Sequence, residues 1–391
     1  MSKIVYRKTG RRSLPVLSIL FAVLLFGFSA INLLAPKRTE IELENRKAAS
    51  FPSFSVKDLL NGKWQNAFSV WMQDQIAFRD GWVNLQRTAD EFLFQKAEES
   101  DILLGKDGWQ FTKQFTFPDA AAAQLAKNVT AVSEFSSRYP GKVTFLLAPS
   151  AAVIYPEYLP AGAPMIDENA LLDQIFAQIG QTAQIIDLRD TFRACKDEYL
   201  FYKNDHHWTT HGAYRAYEQF CLLRGLVPFD ERQSSVSVED FYGTHWSATR
   251  RWNALPDTLV YYPLDAALTI YKLTGEAQFE AVSSGNLMNS DKLQSRDKYG
   301  AFLGGNNGYS VLEGRGQGSI LVVKDSYANC FIPFLTDNYA KIGIVDFRGF
   351  AYGIDSTIEK EGYDEVLILY NFQTFVSDNK VIYINRPTTL Q

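Results

Sequence analysis

Three of the chain's four histidines lie in one short run, Tyr202-Lys203-Asn204-Asp205-His206-His207-Trp208-Thr209-Thr210-His211-Gly212. In an extended or tightly turned segment, Asp205 and His207 are two residues apart and can point to the same side. A carboxylate so placed fixes the imidazole tautomer and stabilises its protonated form, which is what a general base needs. A matching nucleophile belongs where a strand turns sharply into a helix, because free backbone N–H groups there face a developing oxyanion. One stretch fits: Ser319-Ile320-Leu321-Val322-Val323 runs into Lys324-Asp325-Ser326, and puts Ser326 at such a turn with Asp325 as a structural neighbour. By itself a serine at a helix start is an ordinary N-cap. Its pairing with Asp205 and His207 gives the catalytic reading.

Further residues are candidates for the surrounding shell. The Ser326 N–H is the first oxyanion donor, with Gly305 and Asn306 as second donors, since a Gly-Gly-Asn turn permits close backbone approach. Arg348 either meets a carboxylate or sugar hydroxyl or forms a surface ion pair. Tyr327 and Trp208 either shape an acyl or sugar pocket or seal the core beneath it. His206 is expected to face away from His207, and His245 either lines the cleft or is simply packed. His207 and His211 are four apart, but no Glu stands between them as in zinc-protease helices, so no metal is expected.

The elements that would position these residues alternate. Helical stretches around Ala120–Phe135 and Ala170–Ile179 separate apolar strands at 143–147 and 185–186, and strands recur at 319–323, 341–345 and 365–369. This pattern predicts a parallel α/β sheet flanked by helices, with a helical connection after the strand at 319–323. Residues 102–104 and 109–111 read as two strands around a glycine turn that opens the main domain, 101–391. A Gly-, Ser- and Asn-rich section at about 234–316 reads as a β-rich or looping insertion forming one wall of a cleft.

Upstream, the chain has no charged residue from Ser13 to Pro36, enough apolar helix to span the ~30 Å of a bilayer core. The run is longer than the apolar core of a signal peptide, and no Ala-x-Ala-like site closes it. Lys3, Arg7, Lys8, Arg11 and Arg12 precede it, so residues 1–12 are expected in the cytoplasm and the bulk outside. Residues 37–100 read as short helices docked on the main domain. A net charge of −5 with no basic block beyond the N-terminus argues against nucleic acid. Cys195, Cys221 and Cys330 have no metal-binding spacing, and one disulfide among them stays open.

The Asp205-His206-His207-Trp208 run resembles the signature of the DHHW family, related to the SGNH-hydrolase-like extracytoplasmic proteins of alginate O-acetylation. There an Asp-x-His-Trp motif precedes a Gly-Asp-Ser-like block, the order seen here. The resemblance extends to the anchor, to Glu44-Asn45-Arg46, to Gly105-Lys106-Asp107-Gly108-Trp109 and to Gly304-Gly305-Asn306, but Lys324 stands in place of the block's glycine. It implies an SGNH-like fold in which Asp205 orients, His207 acts as base and Ser326 carries an acyl group, without a cofactor. It also implies a polysaccharide acceptor and a membrane-bound O-acyltransferase as acyl donor. A carbohydrate esterase and a non-catalytic glycan-binding scaffold of the same fold are the alternatives.

Overall fold

The computed structural model describes residues 13–387. The basic residues at 1–12, on which the orientation argument rests, lie outside the described residues. The chain forms two compact units, Met1–Leu93 and Phe94–Gln391.

In the first unit, helix α1 (Ser13–Leu34) is long and apolar enough to cross a membrane, at ~33 Å for 22 residues. The Asn32 side-chain oxygen near its end accepts the Ala77 N–H at 2.7 Å. A two-stranded ribbon, β1 (Glu40–Ile41) and β2 (Arg46–Lys47), turns through Asn45 in the left-handed region at φ 48°. Arg46 then grips the buried Asp74 with both terminal nitrogens, at 2.8 and 2.6 Å. Helices α2 (Val56–Leu60), α3 (Lys63–Gln75) and α4 (Arg79–Phe92) follow.

The second unit opens on a small antiparallel sheet: β3 (Glu98–Glu99), β4 (Ile102–Leu104) and β5 (Gln110–Thr112). Helix α5 (Asp119–Arg138) leads to β6 (Val143–Ala148), and helix Glu168–Ile179 to β7 (Gln184–Ile186). After helix Thr210–Arg224 come β8 (Val236–Phe241) and β9 (Asp257–Tyr261), a separate two-stranded sheet. Then follow β10 (Ala267–Gly275), β11 (Gln278–Asn286), β12 (Tyr309–Glu313), β13 (Ser319–Lys324), β14 (Lys341–Val345) and β15 (Glu365–Asn371).

The main sheet has the order β11-β10-β12-β14-β13-β15-β6-β7. Five neighbours from β14 to β7 are parallel, and the other three extend the sheet antiparallel. The fold is thus mixed α/β with a large, mostly parallel sheet. The section at 234–316 differs from a cleft wall alone, because β10, β11 and β12 join the main sheet.

Both faces of the parallel part of the sheet are covered, which explains why its strands read as apolar runs rather than alternating ones. On β13, Ile320 and Val322 enter one core with Leu146, Trp208, Phe331 and Leu369. Leu321 and Val323 enter the other with Phe135, Phe145, Ile368 and Phe375. The strand lies between β14 and β15, so the turn at its C-terminal end is held from both sides, at the edge where open parallel sheets carry their ligand sites.

Candidate active site

The nucleophile block is set by Asp325. Its Oδ1 accepts the Tyr327 N–H at 2.8 Å, while Oδ2 accepts the Asn371 backbone N–H at 2.8 Å and side-chain amide at 2.5 Å. A carboxylate locked by three donors leaves the next residue, Ser326, to turn outward. Ser326 begins a four-residue 3-10 turn, Ser326–Asn329, followed by a second at Ile332–Asp337. The expected helix after this strand is therefore replaced by two 3-10 turns, because Pro333 ends regular α-helix there. A turn this short has no α-helical macrodipole to contribute.

The acid–base pair sits at the tip of a pinched loop. Phe201 and Trp208 form an isolated antiparallel bridge, and Thr209 donates its N–H to the Leu200 carbonyl at 2.8 Å. Asn204 is pinned inside the loop: its N–H reaches Asp257 at 2.8 Å and its side chain bonds the Leu255 carbonyl and Gln110. Pinching brings the His206 and His207 rings to 3.8 Å between centroids, so His206 lies beside His207 rather than facing away.

Within this loop His207 Nδ1 lies 2.5 Å from Asp205 Oδ1, and His207 Nε2 lies 2.8 Å from Ser326 Oγ, across 119 residues of chain. Asp205 Oδ1 also accepts the His207 N–H, and its Oδ2 accepts both the N–H and the hydroxyl of Thr244 at 2.7 and 3.1 Å. Burial alone would raise this carboxyl, but the adjacent His207 and His206 and these donors hold it well below the usual range. An ionised Asp205 accepts a hydrogen bond from Nδ1–H, which fixes the tautomer and leaves the Nε2 lone pair facing the serine hydroxyl.

Several residues fix that geometry. Tyr299 stacks on His207 at 3.8 Å and donates its hydroxyl to the Ser326 carbonyl at 3.1 Å. Trp208, fully buried, donates its indole N–H to the Tyr327 carbonyl at 2.8 Å, and the Tyr327 hydroxyl donates back to the His206 carbonyl. Trp208 and Tyr327 thus tie the two loops together. Gly243 lets Thr244 approach, since a Cβ there would meet Asp205 Oδ2 at 2.2 Å.

Asn306 also reaches the nucleophile block. Its Oδ1 accepts Lys324 Nζ at 3.0 Å and the Asn329 amide at 3.1 Å, which orients its own NH2 away from both. Gly304 and Gly305, at φ +63° and +97°, make the turn that delivers it. Lys324 is buried, and that burial pushes its amine down to about 8 even with Asp346 at 3.3 Å. Arg348 closes on the same Asp346, Nε to Oδ1 at 2.8 Å and Nη2 to Oδ2 at 2.5 Å. It is thereby engaged in an ion pair.

Beside the pair lies a small cleft with a volume of about 20 Å³, lined among others by Thr112, Ser150, Asp205, His206, His245 and Tyr327. His245 is buried and bonds Thr112 at 3.0 Å. His206 keeps a third of its side chain exposed, and desolvation and the neighbouring His207 push its pKa down. Asp205, His206 and His207 each hold a metal-capable atom within 4.8 Å, but both Asp205 oxygens and His207 Nδ1 are engaged in the hydrogen bonds above. His211, in the first turn of helix Thr210–Arg224, bonds Glu198 instead and shares no helical face with His207. Tyr299, Thr244 and Gly243 were not singled out from sequence. Of that stretch, His245 alone is a sequence candidate, as a residue that lines the cleft or is packed.

A mostly parallel sheet with a serine at one central strand end and an Asp-x-His-Trp loop beside it is an arrangement similar to that of SGNH-hydrolase-like domains. Residues 169–345 match the family described as DHHW protein, and residues 102–223 match the SGNH hydrolase-like domain, acetyltransferase AlgX. The chain is homologous to proteins described as probable alginate O-acetylase AlgJ. It is 30% identical over 173 residues to that of Pseudomonas aeruginosa, covering 42% of this chain and 44% of that protein. With the Pseudomonas syringae pv. tomato protein it shares 26% over 180 residues, covering 44% and 46%. The chain therefore spans less than half the length of these curated relatives. A crystal structure of a DHHW family protein from Eubacterium siraeum superposes at TM-score 0.62 and 22% identity, covering 74% of this chain and 96% of that one. Bacillus cereus PatB1 with a sulfonyl adduct gives 0.57 and 18%, covering 72% and 97%. At these identities the likeness is one of fold.

Proposed function

We propose that this protein is a membrane-anchored, extracytoplasmic O-acyltransferase that moves acetyl groups onto an envelope or secreted polysaccharide through Asp205, His207 and Ser326. The observation that carries the reading is the unbroken line from Asp205 to His207 to the Ser326 hydroxyl, with contacts of 2.5 and 2.8 Å. In the first half-reaction Ser326 Oγ attacks the donor's acyl carbonyl as His207 Nε2 takes its proton, and Asp205 stabilises the imidazolium. The tetrahedral oxyanion is met by the Ser326 backbone N–H and by the side-chain NH2 that Asn306 keeps free. His207 then protonates the leaving oxygen, and an acyl-serine remains. In the second half, a sugar hydroxyl gives its proton to His207 and attacks that ester, which restores Ser326.

The homology to alginate O-acetylases supports a polysaccharide acceptor and acetyl as the group carried. Helix α1 supports a single bilayer span that would keep Ser326 near an acyl donor held in the membrane, for which a membrane-bound O-acyltransferase is the partner of matching chemistry. Arg348, engaged with Asp346, is assigned a supporting place beneath Lys324.

The test is to treat the purified chain with an activated acetyl ester and look for an acetylated Ser326 peptide by mass spectrometry, with and without oligosaccharide. Acetyl on Ser326 that passes to the sugar is the expected result. Acetate release that ignores the sugar would make the protein an esterase, and an unreactive Ser326 would leave a binding scaffold.

A further inference from the structure

Helix α1 is not the only element of its unit with an exposed apolar face. On α4, Trp82 and Leu85 are 52% and 62% exposed, and Phe78, which caps the start of that helix, is 65% exposed. The three stand four and three residues apart, so they share one helical face. Phe78 also holds φ 59°, a left-handed backbone that glycine takes freely and a bulky side chain takes only under strain. That strain turns a large ring outward instead of into a core.

The bend between α3 and α4 is fastened to the end of α1, which fixes its depth. Asn32 Oδ1 accepts the Ala77 N–H at 2.7 Å, and the Asn32 amide donates to the Phe28 carbonyl at 2.7 Å. The apolar span runs Val16–Leu34, so Asn32 lies two residues inside its end. At the helical rise that is about 3 Å. Gln75 adds two hydrogen bonds to the Arg38 backbone, at 2.8 and 3.0 Å, and Arg38 pairs with Asp80 at 2.8 Å. Where α1 crosses a bilayer, Ala77 is therefore level with the last turn of the span, and its neighbour Phe78 meets lipid there rather than water.

The polar groups around this face suit that depth. Trp82 donates its indole N–H to the Ala77 carbonyl at 3.1 Å, so its ring enters an apolar boundary with no donor stranded. Lys37 Nζ stays at the exit of α1, 3.3 Å from the Asn32 carbonyl and 5.4 Å from the centre of the Trp71 ring. Aromatic rings at the boundary with a basic head beside them match the way side chains distribute across a membrane–water interface.

We propose that Phe78, Trp82 and Leu85 form a second membrane contact, in which the first two turns of α4 lie in the lipid boundary beside the exit of α1. The partner is the lipid surface itself. This rests on the membrane-span reading above and gives the span a fixed lateral seat in place of a free swivel.

The experiment reconstitutes the full chain in phosphatidylcholine vesicles, with photoreactive benzoylphenylalanine replacing one residue at a time, and measures lipid adducts by mass spectrometry after irradiation. Trp82 and Leu85 report on the proposed face and Phe21 on the span, while Leu255, 82% exposed in the other unit, reports on chance collision. We expect adduct yields at Trp82 and Leu85 about fivefold or more above that at Leu255, with a comparable excess at Phe21. Yields at Trp82 and Leu85 that match Leu255, or a covalent dimer in place of lipid adducts, overturn the contact and, with Phe21 still labelled, leave the span standing. A Phe21 yield as low as that at Leu255 overturns the span and the contact with it.

Discussion

Tyr299 lies flat against His207, ring centroids 3.8 Å apart and planes 15° from parallel, while its hydroxyl bonds the carbonyl of Ser326. One side chain therefore sets both partners of the proton transfer. Tyr299→Leu should lower the rate of acetyl-ester turnover about 100-fold by freeing the imidazole. Tyr299→Phe keeps the stack and should cost about tenfold or less, the worth of one neutral hydrogen bond. Steady-state rates of the two variants, at equal folded fraction, check this order.

Replacing Ser326 or His207 by Ala should each reduce turnover by roughly 10⁴-fold or more, and the double variant should be no worse than either, because the residues act as one unit. Labelling of the chain by a serine-reactive sulfonyl fluoride should vanish with Ser326→Ala. Rates that multiply in the double variant would mean independent roles.

Gly243→Ala places a methyl group 2.2 Å from Asp205 Oδ2, so the carboxylate or the Thr244 loop must shift. A displacement near 1 Å in a catalytic group costs about 100-fold. The predicted variant keeps its far-ultraviolet circular dichroism and loses about two orders of magnitude in turnover.

Glu168 is buried with Ser150 donating its N–H and hydroxyl at 2.7 Å each, and burial raises its carboxyl to about 7 from an ordinary 4.5. An acid whose folded pKa is raised binds its proton more tightly in the folded chain, so stability falls as pH climbs from about 4.5 to about 7, and the loss is complete above that. The fall is on the order of 3 kcal/mol. Urea unfolding of Glu168→Gln at pH 5 and pH 8 should lack this part of the change.

Much of this architecture was legible because its strands are buried on both faces. Val143–Ala148 and Ile320–Val323 are nearly unbroken apolar runs, and the second leads through Lys324 and Asp325 into the turn that marks the functional edge. Asp205, His207 and Ser326 stood out through residue type and local turn chemistry. Tyr299 and Thr244 did not, since their value lies in contacts with residues far along the chain that leave no periodic trace. The joining of β10 and β12 to the main sheet was equally hidden: β10 is largely part-exposed, so it lacks the unbroken apolar signal of its parallel neighbours. His206 departs from the extended-segment expectation because the Phe201–Trp208 bridge folds the loop back on itself.

The clamp of Asn371 on Asp325 has a consequence for biosynthesis. That asparagine is almost the last part of the catalytic neighbourhood to be made, well over a hundred residues after the histidine loop. Until it arrives, Asp325 lacks two of its three donors and β13 lacks its β15 neighbour, so the serine turn waits on this later segment for its final seat.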